Sequence, residues 1–183
     1  YVLLQKAAEQ KHIPVRYLST GSYFQSGGVS FVCLNPAAGN AFDSANAESI
    51  TLSMQYQNFS CLFTGDLEGA GEEALQNIIS SASTRQSYHI PEHYTVLKVA
   101  HHGSKNSTCE QLLDRLKPEC ALISCGRKNR YGHPHKELLE RLVSSGADIR
   151  RTDESGALSV TFRKGTPRLT GYLDNLDNLS KSK

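Results

Sequence analysis

Cys61-Leu62-Phe63-Thr64-Gly65-Asp66 and, one helix-length segment later, Thr95-Val96-Leu97-Lys98-Val99-Ala100-His101-His102-Gly103-Ser104 are the stretches that decide the fold. Each is an apolar, strand-like run that closes on a glycine-containing turn with a metal-binding side chain beside it. Strands that alternate with helices build a sheet whose ligands gather in the crevice at the strands' carboxyl ends. A carboxylate and imidazoles brought there suit zinc, manganese or iron. The residues alone point to a metal-dependent hydrolase, with only part of its metal site in this chain.

Outward from these runs the alternation continues. Between them, Glu72 to Ile79 places Leu75, Ile78 and Ile79 on one helical face, and Ser80 to Glu92 reads as a polar connection. Upstream, Ser49 to Tyr56 and Phe59 to Thr64 read as a hairpin across Gln57-Asn58, and Gly27-Gly28 turns into a strand from Val29 to Leu34. Val15 to Leu18 reads as a short strand, Val2 to His12 as the end of a helix stopped by Pro14, and residues 36–48 as loop. Downstream, Ser107-Thr108-Cys109-Glu110 has capping-box spacing for a helix that Pro118 ends. Ala121 to Ser124 is a strand, and Pro134 opens a helix through Val143 with Gly146 past its end. Ile149 to Thr152 and Ala157 to Phe162 read as a strand pair across Asp153 to Gly156. From Thr166 the composition turns polar, so residues 1–165 are the expected domain and 166–183 an expected frayed, disordered tail. The expected class is layered α/β with a mixed sheet, because hairpins accompany the alternation.

A chain of 183 residues is long enough for one well-buried core. Twenty Lys and Arg against eighteen Asp and Glu leave a net charge of +2, too little to argue for nucleic-acid binding on charge alone, so an anionic substrate would be held locally. No apolar run approaches the roughly 18 residues of a membrane helix, and the start has no charged region ahead of a hydrophobic stretch. The piece therefore reads as soluble. It opens without Met in the middle of a helical pattern, which predicts a part of something longer. Five cysteines with no CxxC spacing, three of them in strand-like runs, read as buried, reduced thiols.

Asp66 follows Gly65, which lets the backbone turn so that the carboxylate faces out from the sheet end; the alternative is a cap on the next helix. His101 and His102 each need a partner for both ring nitrogens. An extended backbone would point them in opposite directions, one toward a metal and one into packing; the alternative is two exposed loop histidines. His133 lies in Asn129-Arg130-Tyr131-Gly132-His133-Pro134-His135, near a helix N-terminus that favours anions. There it can hold a phosphate, move a proton, ligate metal or merely cap. His135 is expected in solvent, and His12, His89 and His93 have no assigned role. Lys98, Lys105, Arg127, Lys128 and Arg130 put positive charge beside these motifs.

Four ordered stretches carry a resemblance: Thr64-Gly65-Asp66-Leu67-Glu68, then Leu97 to Lys105, then Ser124-Cys125-Gly126 with Asn129 and Tyr131-Gly132-His133-Pro134, then Arg151-Thr152-Asp153 with Gly156. They resemble the C-terminal metallo-β-lactamase-like domain of the ComEC family of DNA-internalisation competence proteins, over about Ser49 to Val160 and more loosely from Val15 to Pro36. The resemblance implies the αβ/βα sandwich of that superfamily, truncated at its N-terminal side. It also implies a parent protein in the bacterial cell membrane that carries incoming DNA, with this domain as a nuclease. Position by position, it implies Asp66 as the bridging and catalytic aspartate, His101 or His102 as a metal ligand, and His133 as a catalytic, substrate-contacting histidine. Ser104, Lys105, Asn129 and Tyr131, in the same motifs, are the other substrate-binding candidates. Zinc or manganese is the implied cofactor of the complete domain; single-stranded DNA, bound transiently, and the channel portion of the parent chain are the implied partners. The superfamily's His-x-His-x-Asp-His, which supplies most ligands, occurs nowhere in this sequence and in the family would precede Tyr1. Where the family tends to have Asn-rich sequence before Ser, this chain has Asn46-Ala47-Glu48-Ser49. This piece alone is accordingly expected to bind metal weakly or not at all. The rival readings are a non-catalytic module that guides DNA or packs on the channel, and a hydrolase of another phosphoester.

Overall fold

In the computed structural model, which describes residues 2–39, 42–163 and 166–174, the chain runs through α1 (Val2–Gln10), β1 (Tyr23–Ser26), β2 (Val29–Asn35), β3 (Thr51–Tyr56) and β4 (Phe59–Phe63). It continues through α2 (Ala70–Ser80), α3 (Ala82–Ser87), β5 (Val96–Lys98), a short 3-10 turn (Ala100–Gly103), α4 (Glu110–Leu116) and β6 (Cys120–Ile123). The last elements are α5 (Lys136–Ser144), β7 (Asp148–Arg151), α6 (Thr152–Ser155), β8 (Leu158–Arg163) and β9 (Thr166–Gly171). β1 to β7 form one sheet in chain order. Neighbours from β1 to β4 are antiparallel and from β4 to β7 parallel, so the layered α/β class with a mixed sheet holds. Among the described residues no helix is long and apolar enough to cross a membrane.

The period-two alternation of β4, β5 and β6 sorts their side chains onto two faces. Leu62, Leu97, Ala121 and Ile123 meet Leu75 and Ile79 of α2, Leu112, Leu113 and Leu116 of α4, and Leu138 and Leu142 of α5 in one core. Phe59, Cys61, Val96 and Cys120 face the other way and are covered by Val160 and Leu169 of the β8–β9 ribbon, with Phe162 edge-on to Tyr56 and Phe59. Each fully buried leucine is worth about 1.5–3 kcal/mol, so the helix side carries most of the stability. All five cysteines are free. Burial pushes the Cys61 thiol up to about 12 and that of Cys120 to about 11, which keeps both protonated as small hydrophobes.

Several elements depart from expectation. Val15 to Leu18 is not a strand; Tyr23–Ser26 takes that place because Gly27 and Gly28 fold it back on Val29–Val32. α3 forms inside the expected polar connection, with the Ser81 hydroxyl accepting from Thr84 N–H at its start. β7 pairs with β6, not with β8: the residues between them make the helical turn α6, and Gly156, at φ 68°, sends the chain to the opposite face. There β8 pairs with β9, so residues 166–171 of the expected tail are strand. Residues 175–183 lie outside the described residues. α4 is capped not by its own box but by the buried Glu72, whose carboxylate accepts from Thr108 and Cys109 N–H. α5 starts at Lys136 with His135 as N-cap, so Pro134 and His133 lie outside the helix.

Candidate active site at the carboxyl ends of the parallel strands

Parallel pairing brings the ends of β4, β5 and β6 to one edge, and Thr64 Oγ1 donates to the Lys98 carbonyl there at 2.6 Å. Gly65 turns the chain at φ 56°, where an added Cβ would sit 3.1 Å from Ser49 Cβ. A side chain is thus opposed both by conformation and by space. Ser49 Oγ accepts Asp66 N–H at 3.1 Å, and Asn35 Nδ2 holds the Ser49 segment by donating to the carbonyls of Ala47 and Ser49. Asp66 caps no helix, since the N-cap of α2 is Gly69.

From β5 the chain enters three consecutive left-handed residues: His101 at φ 45°, His102 at φ 54° and Gly103 at φ 90°. For the two histidines this conformation costs about 1–2 kcal/mol each. It corrects the expectation of an extended end with rings pointing apart, because both now turn into the same space. His101 Nδ1 lies 2.9 Å from Glu68 Oε2, and His102 Nδ1 lies 2.7 Å from the Ser124 carbonyl. Both partners are acceptors, so both Nδ1 atoms carry the proton and both Nε2 lone pairs are left for the site. His102 Nε2 stands 3.7 Å from Asp66 Oδ1. Burial pushes the Glu68 carboxyl up, but the Asn46 amide, at 2.8 Å, and His101 outweigh it and hold it below the ordinary glutamate range.

His133 completes the cluster, with ring centroids 5.6 Å from His101, 6.5 Å from His102 and 4.7 Å from His135. Loss of solvent, and then the neighbouring imidazoles, lower its proton affinity against the pull of Asp66, so it is neutral at pH 7. His135 is the opposite tautomer: its Nδ1 accepts Lys105 N–H at 3.1 Å, which leaves the proton on Nε2. Gly103 joins the two motifs, since a Cβ there would come within 2.6 Å of Pro134 Cβ, and its carbonyl accepts His135 N–H at 2.9 Å.

Asp66, His101, His102 and His133 therefore converge. Ser104 does not face the site: it is 4% exposed, and its hydroxyl accepts Asn106 N–H within the turn. Asn129 is spent on its own loop, where Nδ2 donates to the carbonyls of Gly126 and His133 and Oδ1 accepts His133 N–H. It places His133. Lys105 is exposed, and Tyr131, 61% exposed, stacks on His133 at 5.8 Å beneath the Arg130 guanidinium. Glu68 and His135 were not singled out from the sequence. The carboxylate pair Asp66-x-Glu68 past a strand end was the available signal for the first; the helix start read at Pro134 hid the second. A cavity of about 510 Å³, lined by Phe42, Asp43, Ala47, Glu68, Ala70 and Asn106, borders the cluster only through Glu68.

The Asp66–His102 separation is close to what two ligands of one ion span at bonds of about 2.0–2.2 Å. A zinc site needs at least three protein ligands, and among the described residues no group of three His, Cys, Asp or Glu is placed to hold an ion. The described residues therefore do not fit a resident metal by themselves.

A mixed sheet with helices packed on it and a histidine–carboxylate edge at the parallel strand ends define a layered α/β domain with a candidate hydrolytic site at that edge. No family model matches the chain. It is 33% identical over 167 residues to ComE operon protein 3 of Bacillus subtilis, a match covering 91% of this chain and 20% of that protein. It is 33% identical over 142 residues to competence protein ComA of Neisseria gonorrhoeae (78% of this chain, 19% of that protein). Recombination protein 2 of Haemophilus influenzae matches at 33% over 117 residues (64% and 13%). The chain is thus homologous to one stretch of the ComEC family of competence proteins; it spans at most about 20% of the length of these relatives. A solved structure from Parabacteroides distasonis, named as a metal-dependent hydrolase, is 13% identical with a TM-score of 0.45 over 79% of this chain and 60% of that one, a likeness too distant to carry an argument.

Proposed function

We propose that this chain supplies one side of the active site of a phosphodiesterase that degrades single-stranded DNA during uptake, within a membrane-embedded competence protein. The observation that carries this reading is the convergence of Asp66–His102, Glu68–His101 and His133 at one sheet edge. A divalent ion, zinc or manganese, belongs to the complete site only if ligands from outside the matched stretch join Asp66 and His102. What the chain's own residues do is defined by their protons. His101 presents an Nε2 lone pair, so it accepts a proton from an attacking water, while the Nε2 lone pair of His102 is the one an ion would take. His133, neutral at rest, carries a proton rather than serving as a fixed cation for phosphate. Lys105 and Tyr131, both exposed, would meet the backbone and a base of the substrate strand. The test is release of acid-soluble nucleotides from single-stranded DNA by a full-length family member with added manganese or zinc. A fall of about 10²-fold or more in Asp66→Asn supports the reading; equal release by wild type and variant overturns it.

A second reading is favoured by the lack of a three-donor group among the described residues. It makes the chain a non-catalytic module that guides DNA or packs on the membrane channel. DNA binding without release of nucleotides in the same assay selects it.

A further inference from the structure

Glu68 divides its two carboxylate oxygens between two partners. Oε1 accepts the Asn46 amide, with Nδ2 at 2.8 Å, and Oε2 accepts His101 Nδ1–H at 2.9 Å. Asn46 therefore decides which oxygen is free to face the imidazole. A free imidazole favours the proton on Nε2; a charge-assisted hydrogen bond to a carboxylate, about twice as strong as a neutral one, reverses that preference. The same device orients histidines in many hydrolytic and metal sites, where removing the outer partner costs about 10–100-fold. Side-chain exposures of 27% for His101 and 22% for Glu68 shield the pair partly from competing water.

We propose that Asn46 and Glu68 are the positioning pair of this site: together they lock the His101 ring in the Nδ1–H tautomer and keep its Nε2 lone pair available to the histidine cluster. The functional weight of this lock rests on the hydrolytic reading of the cluster, but the lock itself is read without turnover.

The experiment is long-range ¹H–¹⁵N correlation of the histidine rings in the full chain at about pH 8.5, two units above the ordinary histidine value, where protonated and bare ring nitrogens have well-separated shifts. In the wild type, His101 shows Nδ1–H. In Glu68→Gln, the Asn46 amide still claims Oε1, so the new amide nitrogen faces Nδ1 and donor meets donor. The His101 proton then moves to Nε2. In the double variant Asn46→Ala with Glu68→Gln, the glutamine is free to rotate its carbonyl toward His101, and Nδ1–H returns. A wild-type His101 with its proton on Nε2 overturns the proposal outright, whether or not the variants fold. A folded Glu68→Gln that keeps Nδ1–H overturns the role of Glu68; a double variant that stays Nε2–H overturns that of Asn46. Loss of DNA hydrolysis bears on the proposed function and leaves this assignment intact.

Discussion

Along the same three strands, the helix-side core and the carboxyl edge follow opposite rules. Leu62, Leu97, Ala121 and Ile123 are fully buried in the regular strands. A few residues further on, Asp66, Glu68, His101 and His102 are charged or titratable, partly exposed, and in two cases strained into the left-handed region. With Asp66 and His102 at 44% and 51% side-chain exposure, their mutual attraction adds little to stability. Backbone strain of this kind clusters at sites where it serves a mechanism, which accords with the proposed chemistry. On the proposed reading, fold and function fall to separate residues in and just past the same strands, and substitutions should separate them.

The largest effect should come from the edge. His133→Ala in a full-length family member is expected to lower phosphodiester turnover by about 10² to 10⁴, some 3–5 kcal/mol of barrier, while the melting temperature moves little. Normal turnover with a clearly lowered melting point would erase the contrast. In the core, Leu97→Ala should cost about 3 kcal/mol and lower the melting temperature by roughly 10 °C, because the site under α2 and α4 cannot collapse around the cavity. Thermal unfolding decides it, and a shift below about 2 °C would mean a softer core than the packing implies. A smaller effect sharpens the account of the strained turn. Both His102→Gly and His102→Ala lose the imidazole, but only glycine adopts φ 54° freely, so the glycine variant should be the more stable by about 1 kcal/mol in urea unfolding. Equal stabilities would show that the backbone relaxes. The smallest effect is in pH. Because His133 binds protons less readily when folded, its contribution to stability is complete above the unfolded value near 6.5 and is lost as the pH falls through the lower folded value. His133→Asn should flatten the decline of the urea midpoint between about pH 7 and pH 5; an unchanged decline would assign it to other groups.

The sheet and its crevice were legible because apolar alternation in Phe59 to Phe63 and Thr95 to Val99 is a local signal, and the turns that follow carry Asp66 and His101-His102. The left-handed turn was not legible, since histidine gives no sign of positive φ and Gly103 only hints at it. Glu68 meets His101 across 33 residues and Glu72 caps α4 across 36 and 37, contacts that no spacing rule reaches. β9 was hidden for a different reason. Its inward positions Pro167 and Leu169 alternate as a strand should, but the polar composition around them outweighed that pattern.

Every neighbour in the seven-stranded sheet is also a neighbour in the chain. Such a topology keeps loop closures short and lets the sheet grow in the order of synthesis. The edge is then built on a schedule: Asp66 meets Ser49 as β4 pairs with β3, His101 meets Gly65 and Glu68 as β5 docks, and His102 finds the Ser124 carbonyl only with β6. His135 closes on Gly103 last, when α5 packs. Pulse-labelled hydrogen exchange should protect β3 and β4 before β6, and the reverse order would refute vectorial assembly. On this schedule a nascent chain acquires its shape well before its reactivity, and an incomplete one carries no competent histidine set.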